Sequence, residues 1–211
     1  TSKEAIILSE ENEGLYAAIG IGPDEVEKED IENIKKIEKL LKNKKVKAIG
    51  EIGLDYYHNY LNKEKQKEYF IKQLLIAKKN KLPVIIHCRK AYQDLIKILK
   101  EYIVKGSIHC FSGSYEEAIE LIKLGYKLGI GGVITYKNSE RLNEIVQKID
   151  ISNILLETDT PYLTPEPNRG RENRPYYIID VAKKIAEIKN MSQEEVERIT
   201  SETAMALFDL K

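Results

Sequence analysis

Four side chains able to bind a metal or move a proton recur at comparable places in this sequence: Glu51, His87, His109 and Asp159. Each is expected at the C-terminal end of a short apolar run, the runs being VKAIGEI, VIIHC, SIHCF and NILLE. In a parallel α/β sheet those ends share one rim, which is where active sites form. Two imidazoles and two carboxylates converging there would make a divalent-metal constellation, because imidazole suits ions such as Zn, Mn or Fe and carboxylate oxygen suits harder ones. A bound ion of this kind lowers the pKa of its water and polarises an oxygen it touches. Taken singly, a strand histidine reads as a hydrogen-bonded core residue; the recurrence on four strands favours the metal reading.

Strand parity extends the reading. Cys88 follows His87 and Cys110 follows His109, so both thiols are expected on the opposite face, as small buried hydrophobes rather than ligands or a disulfide. The same parity puts Glu157 on the side of Asp159, where it would orient a ligand from behind. Arg89 and Ser112 follow the two histidines closely, and Arg169, Arg171 and Arg174 crowd a Pro- and Gly-containing loop after Asp159. Of these, Arg89, Ser112, Arg169 and Arg171 are the candidate substrate contacts; guanidinium groups suit phosphate, with ordinary loop solvation as the alternative. His58 sits in a polar loop and reads as an exposed residue.

These residues need a scaffold, and the hydrophobic pattern supplies one. Short β-branched runs at 15–21, 46–52, 84–88, 107–111, 126–132 and 153–157 alternate with amphipathic stretches at 31–41, 63–81, 92–102, 139–149 and from 114 onward. Ser114 and Glu117 have capping-box spacing, Thr1 or Ser2 opens a first helix, and the chain reads as helical from Tyr176 to its end. Nearly all-apolar strands separated by helices argue for a parallel sheet covered by helices. Period alone does not separate an open sheet from a closed barrel. No G-x-G-x-x-G follows the early strands, and Gly129-Ile130-Gly131-Gly132 is a poor substitute, so dinucleotide binding is disfavoured.

Composition narrows the classes further. The chain has 211 residues, with 34 basic and 34 acidic side chains and two cysteines. One domain over 1–211 is expected at roughly 150 residues per domain, and the balanced charge excludes global basicity as a route to nucleic acid. The Lys-rich stretch 35–47 reads as a solvated helix face. No apolar run approaches the roughly 20 residues of a membrane span, and nothing suggests an oxidising compartment, so a cytoplasmic protein is expected.

The quoted segments carry a resemblance. Gly50-Glu51-Ile52-Gly53-Leu54-Asp55-Tyr56, Ile86-His87-Cys88-Arg89, Ile108-His109-Cys110-Phe111-Ser112-Gly113, Leu156-Glu157-Thr158-Asp159-Thr160-Pro161-Tyr162-Leu163 and the 169–175 loop resemble the TatD family, in order and over nearly the whole chain. The resemblance implies a TIM-like (β/α) barrel of the amidohydrolase kind, with metals at the strand C-termini. It also implies a metal-dependent deoxyribonuclease of the 3′ to 5′ exonuclease type acting on DNA ends or single strands. By motif, Glu51 would bridge the metals, His87 and His109 would bind one, and Asp159 would bind the other and take a proton from water.

Two departures qualify that expectation. The family opens with a strand carrying His-x-His, whereas this chain begins where the second helix would start, and Ile21-Gly22-Pro23 has glycine where the family usually has histidine. A barrel incomplete at its N-terminus, with about six of eight strands, is therefore expected. The shortfall is about 40 residues against a barrel of about 250. One well-formed site for Mg, Mn or Zn and a second weak or absent one follow. The alternatives are a catalytically impaired, metal-binding barrel remnant, or a hydrolase of another ester such as one on tRNA.

Overall fold

The computed structural model describes residues 1–57 and 62–210, and it has the expected α/β fold of parallel strands flanked by helices. The chain divides into two compact units, Thr1–Ile108 with Leu207–Lys211, and His109–Ala206.

The first unit begins with α1 (Ser2–Glu11), fixed by a capping box: the Glu4 amide donates to the Thr1 hydroxyl, and the Glu4 carboxylate accepts from the Thr1 amino group. Strand β1 (Ala17–Ile19) lies parallel to β2 (Val46–Asp55), and β2 lies parallel to β3 (Val84–Arg89). Between β1 and β2 runs α2 (Ile34–Leu40), whose Ile34 and Ile37 are buried. Strand β4 (Gly106–His109) starts against Val84, whose carbonyl oxygen would lie 2.3 Å from a Cβ at Gly106; only glycine fits.

Helix α3 (Lys63–Asn80) covers β2 with Phe70, Leu74 and Ala77, all buried. Its apolar stripe is interrupted two turns apart by Gln66 and Gln73, both fully buried. Neither is an unsatisfied polar group. Gln73 accepts from the Ile21 amide at 2.8 Å and donates to the Ile21 carbonyl at 3.0 Å. Gln66 does the same for Asp55, at 2.7 and 3.0 Å. A primary amide thus replaces a neighbouring strand where the ladder has run out, removing two buried backbone groups that would otherwise cost about 1–3 kcal/mol each. Helix α4 (Tyr92–Glu101) completes the unit with Leu95, Ile96 and Leu99 inward.

In the second unit, α5 (Tyr115–Lys123) starts at the expected capping box, with the Glu117 amide donating to Ser114 Oγ at 3.2 Å and Glu117 accepting from the Ser114 amide at 2.6 Å. Strand β5 (Tyr126–Ile130) runs parallel to β6 (Ile154–Leu156), and the Phe111 amide donates to the Gly129 carbonyl. Around them pack α6 (Glu140–Lys148), through Ile145 and Val146, and α7 (Ile178–Lys189), through Val181, Ala182 and Ile185.

Two element expectations are corrected. The run from Tyr176 is not one helix: Asn190 takes the left-handed conformation and closes α7, after which Ser192 accepts from the Glu195 amide and opens α8 (Gln193–Phe208). Asparagine tolerates that conformation and serine is a good cap, so the break is chemically encoded. Strand β2 also continues past Ile52 to Asp55, which places Glu51 in mid-strand rather than at its end. Gly53 permits this, since it pairs with His87 at φ +144° and a Cβ there would lie 2.0 Å from the His87 carbonyl oxygen. Among the described residues no helix is long and apolar enough to cross a membrane.

Gly53→Ala must move backbone that carries His87. It is expected to lower the unfolding free energy by about 2–4 kcal/mol in urea titration. Gly14→Ala, where φ is +80° but nothing lies within 4 Å, is expected to cost only about 1–2 kcal/mol.

Candidate metal centre

Two histidine–carboxylate clusters emerge, one in each unit. In the first, His87 lies between two acids: Nδ1 is 3.1 Å from Glu51 Oε1 and Nε2 is 3.0 Å from Asp55 Oδ2. A neutral imidazole can donate to only one of them, whereas the imidazolium donates to both. Burial is the largest single influence on His87 and opposes its charge, but hydrogen bonding and attraction from Glu51 and Asp55 together hold its pKa above the ordinary imidazole value.

Asp55 owes its place to the extended β2 and to Gln66. Its Oδ1 accepts from the Tyr57 amide at 2.8 Å while its backbone is clamped by the helix. The adjoining Tyr56 hydroxyl donates to Asp94 Oδ2 at 2.8 Å, and Lys67 bridges the same oxygen at 2.8 Å. The start of the loop is thereby tied to α3 and α4.

In the second cluster, His109 Nδ1 is 3.0 Å from Glu157 Oε2 and Nε2 is 3.2 Å from Asp159 Oδ1. Burial again opposes the charge most strongly. Asp159, Cys110 and Glu157 outweigh it and hold this imidazole well above its usual range. Glu157 accepts a second bond, from the Cys110 amide at 2.6 Å. The Tyr162 amide donates to the Asp159 carbonyl, turning the chain immediately after the cluster.

The expectation for Cys110 is overturned. Strand β4 ends at His109, and Cys110 takes a left-handed φ of +43°, so the alternation on which parity rests has stopped. Its sulfur lies within 4.8 Å of ligand atoms of His109 and Glu157 instead of on the opposite face; burial, reinforced by the Glu157 charge, pushes the thiol pKa up to about 12. Cys88, inside β3, is buried. Among the described residues, His109, Cys110 and Glu157 have ligand atoms within 4.8 Å of one another.

The four residues first singled out thus divide. Glu51 and His87 come together in the first unit, with Asp55 added; His109, Asp159 and Glu157 come together in the second, with Cys110 added. Asp159 lies beyond the end of β6, and His87 precedes the last two residues of β3, so neither is strictly a strand terminus. Asp55, Gln66 and Cys110 were missed. The available signal was a glutamine inside an otherwise apolar helical stripe.

Of the proposed substrate contacts, Arg89 is exposed and stacks on Tyr57 with its guanidinium carbon 3.7 Å from the ring centre; Lys90 lies 4.9 Å from the same ring. Ser112 is exposed, and its carbonyl accepts from Arg141 at 2.8 Å. Arg169 lies over Tyr136 at 4.1 Å and 3.9 Å from Glu166, while the Arg171 carbonyl accepts from Thr164 at 2.6 Å. His58 falls outside the described residues.

The donor chemistry fits divalent ions, since each cluster joins imidazole nitrogen to at least two carboxylates and the second adds sulfur. Comparison with known proteins gives this chemistry a family: residues 1–209 match the model for TatD related DNase. The chain belongs to the TatD family of metal-dependent hydrolases.

Among relatives, the uncharacterized metal-dependent hydrolase YabD of Bacillus subtilis is 44% identical over 211 residues, covering 99% of this chain and 83% of YabD. YcfH of Escherichia coli, also named an uncharacterized metal-dependent hydrolase, is 38% identical over 168 residues, covering 78% of this chain and 63% of YcfH. The crystal structure of the E. coli TatD homologue YjjV is similar with a TM-score of 0.94 at 31% identity, covering 99% of this chain and 82% of YjjV. The parallel α/β architecture of this TatD chain is therefore that of its family.

The raised imidazole pKa values have a definite sign. A folded pKa above the unfolded value of about 6.5 contributes stability that is complete below about 6.5 and is lost as pH rises through the folded pKa. Metal-free protein is therefore expected to lose stability on the alkaline side of neutrality. His87→Gln should weaken that decline in denaturation measured across pH.

An incoming ion must displace imidazolium protons. Zn²⁺ or Mn²⁺ titrations in buffers of different ionisation enthalpy are expected to show proton release at pH 7, with affinity rising as pH rises.

Proposed function

We propose that this TatD chain hydrolyses phosphodiester bonds in DNA, acting at ends or on single strands, with Mg²⁺, Mn²⁺ or Zn²⁺ as cofactor. The observation that carries the reading is the pair of histidines, each held between two carboxylates, in a chain whose family model is that of TatD related DNases. Glu51 and His87 would hold metal in the first unit; His109 and Asp159 would do so in the second. A divalent ion held there would supply Lewis acidity, polarising the phosphoryl group and easing ionisation of water.

The chain's own residues supply the rest. Asp159, exposed enough to meet solvent and turned toward His109 Nε2, is the base that takes a proton from attacking water. Glu157, bonded to His109 Nδ1 and to the Cys110 amide, fixes the imidazole plane and leaves Nε2 as the nitrogen directed toward Asp159. Asp55 does the same for His87 from its clamp on Gln66. Arg89, stacked on exposed Tyr57, presents a cation and an aromatic face together, a combination suited to a nucleotide's phosphate and base. Ser112, Arg169 and Arg171 are the further substrate contacts.

Release of 3′ nucleotides from single-stranded DNA by the purified chain, with Mg²⁺ or Mn²⁺ added, tests this reading. Glu51→Ala and His109→Ala are each expected to abolish release. Glu157→Gln is expected to reduce it about 10–100-fold, the usual cost of losing a ligand's hydrogen-bond partner. Release unchanged by the two alanine variants would mean that the activity is not this protein's.

Of the two clusters, one is expected to hold its ion tightly and the other weakly or not at all; metal titration that finds two tight ions per chain would overturn that expectation.

A further inference from the structure

We propose that Tyr162 is the residue on which the base at the reacting end of a DNA strand stacks. The inference deepens the reading above and rests on its choice of DNA as substrate, since it names what holds that strand beside Asp159.

Three observations carry it. Tyr162 is the most exposed large hydrophobic side chain among the described residues, at 69%, although a ring left in water forgoes the stabilisation of burial. Its backbone, by contrast, is fastened on both sides. The Tyr162 carbonyl accepts from Asn173 Nδ2 at 2.6 Å, the Pro161 carbonyl accepts from the Asn173 amide at 3.0 Å, and Asn173 is fully buried. Thr164, also buried, donates to the Arg171 carbonyl at 2.6 Å, and its own carbonyl accepts from the Tyr136 hydroxyl at 3.0 Å. The ring is thus borne on an ordered segment, which lowers the entropy still to be lost when a ligand arrives. The third observation is its place: the Tyr162 amide donates to the Asp159 carbonyl, so the ring belongs to the turn that immediately follows the proposed base.

Charge on the same loop favours the same occupant. Arg169 and Arg174 have Glu166 and Glu172 as partners, whereas exposed Arg171, tied to this segment through Thr164, has no acidic partner among the described residues. A guanidinium without a carboxylate and an exposed aromatic ring on one loop suit the phosphate and base of one strand. Every base has a face to stack, so the contact tolerates any sequence. It does require a base released from its own stack, as at a frayed end or in a single strand.

Initial rates on single-stranded oligothymidylate, labelled with fluorescein at its 5′ end and offered to the full chain with Mn²⁺, provide the test. Tyr162→Ala is expected to raise KM about 5–100-fold, the usual effect of removing a stacking aromatic, with kcat little changed. Tyr162→Phe is expected to keep the original KM, because the ring rather than the hydroxyl makes the contact. The same strand ending in an abasic 3′ sugar should show the unsubstituted chain a KM raised by the same factor, and there the Ala variant should make no further difference. A KM unmoved by Tyr162→Ala, an equal loss in Tyr162→Phe, or no effect of the abasic end on the unsubstituted chain would each overturn the stacking role. The abasic comparison requires no variant to fold. If no divalent ion supports release, fluorescence anisotropy of the labelled strand takes the place of KM. Binding weakened both by Tyr162→Ala and by the abasic end would then uphold Tyr162 while overturning hydrolysis, and no binding of the strand at all would overturn both.

Discussion

An imidazole held between two carboxylates is the interaction on which the arrangement of both clusters depends. Burial works against a charged histidine, and at both His87 and His109 the neighbouring acids outweigh it and raise the imidazole pKa. The same geometry that favours the imidazolium in the absence of metal presents nitrogen and oxygen donors side by side. Proton and metal therefore compete for one set of atoms, which links the pH dependence of stability to that of metal binding.

The supporting structure exists largely to place the acids. Asp55 is held by a glutamine from α3 that substitutes for a missing strand partner, and by a backbone turn at Tyr57. Glu157 is held by the Cys110 amide. In both clusters a backbone N–H beside the site fixes a carboxylate: that of Tyr57 for Asp55, and that of Cys110 for Glu157. Fixing the acids limits the rotamers open to the histidines, the means by which groups behind a metal ligand set its orientation.

Membership in the TatD family settles the architecture and the broad class, and the residues add specificity to it. At position 22, where the resemblance implies histidine, an ideal Cβ on the glycine lies 2.9 Å from Asp24 Oδ1 and 3.8 Å from the Glu51 carbonyl oxygen. Asp55 and Cys110 stand beside the two histidines in addition to the expected set.

Much of this was legible in the sequence. Alternating apolar runs and amphipathic stretches define the α/β class, because buried parallel strands need apolar residues on both faces. The capping box at Ser114 and Glu117 marks the start of a helix by local chemistry alone. Histidines and acids on successive strands signal a site, because side chains that do not serve the core need another reason to be there. Three things were decided only by tertiary structure. Strand β2 runs on to Asp55 because Gly53 can pair closely with His87. Gln66 is a clamp rather than a surface residue because α3 faces a strand end with unpaired backbone groups. Cys110 turns toward His109 and Glu157 because its strand ends one residue earlier, and the alternation that fixes side-chain direction holds only while the backbone remains extended.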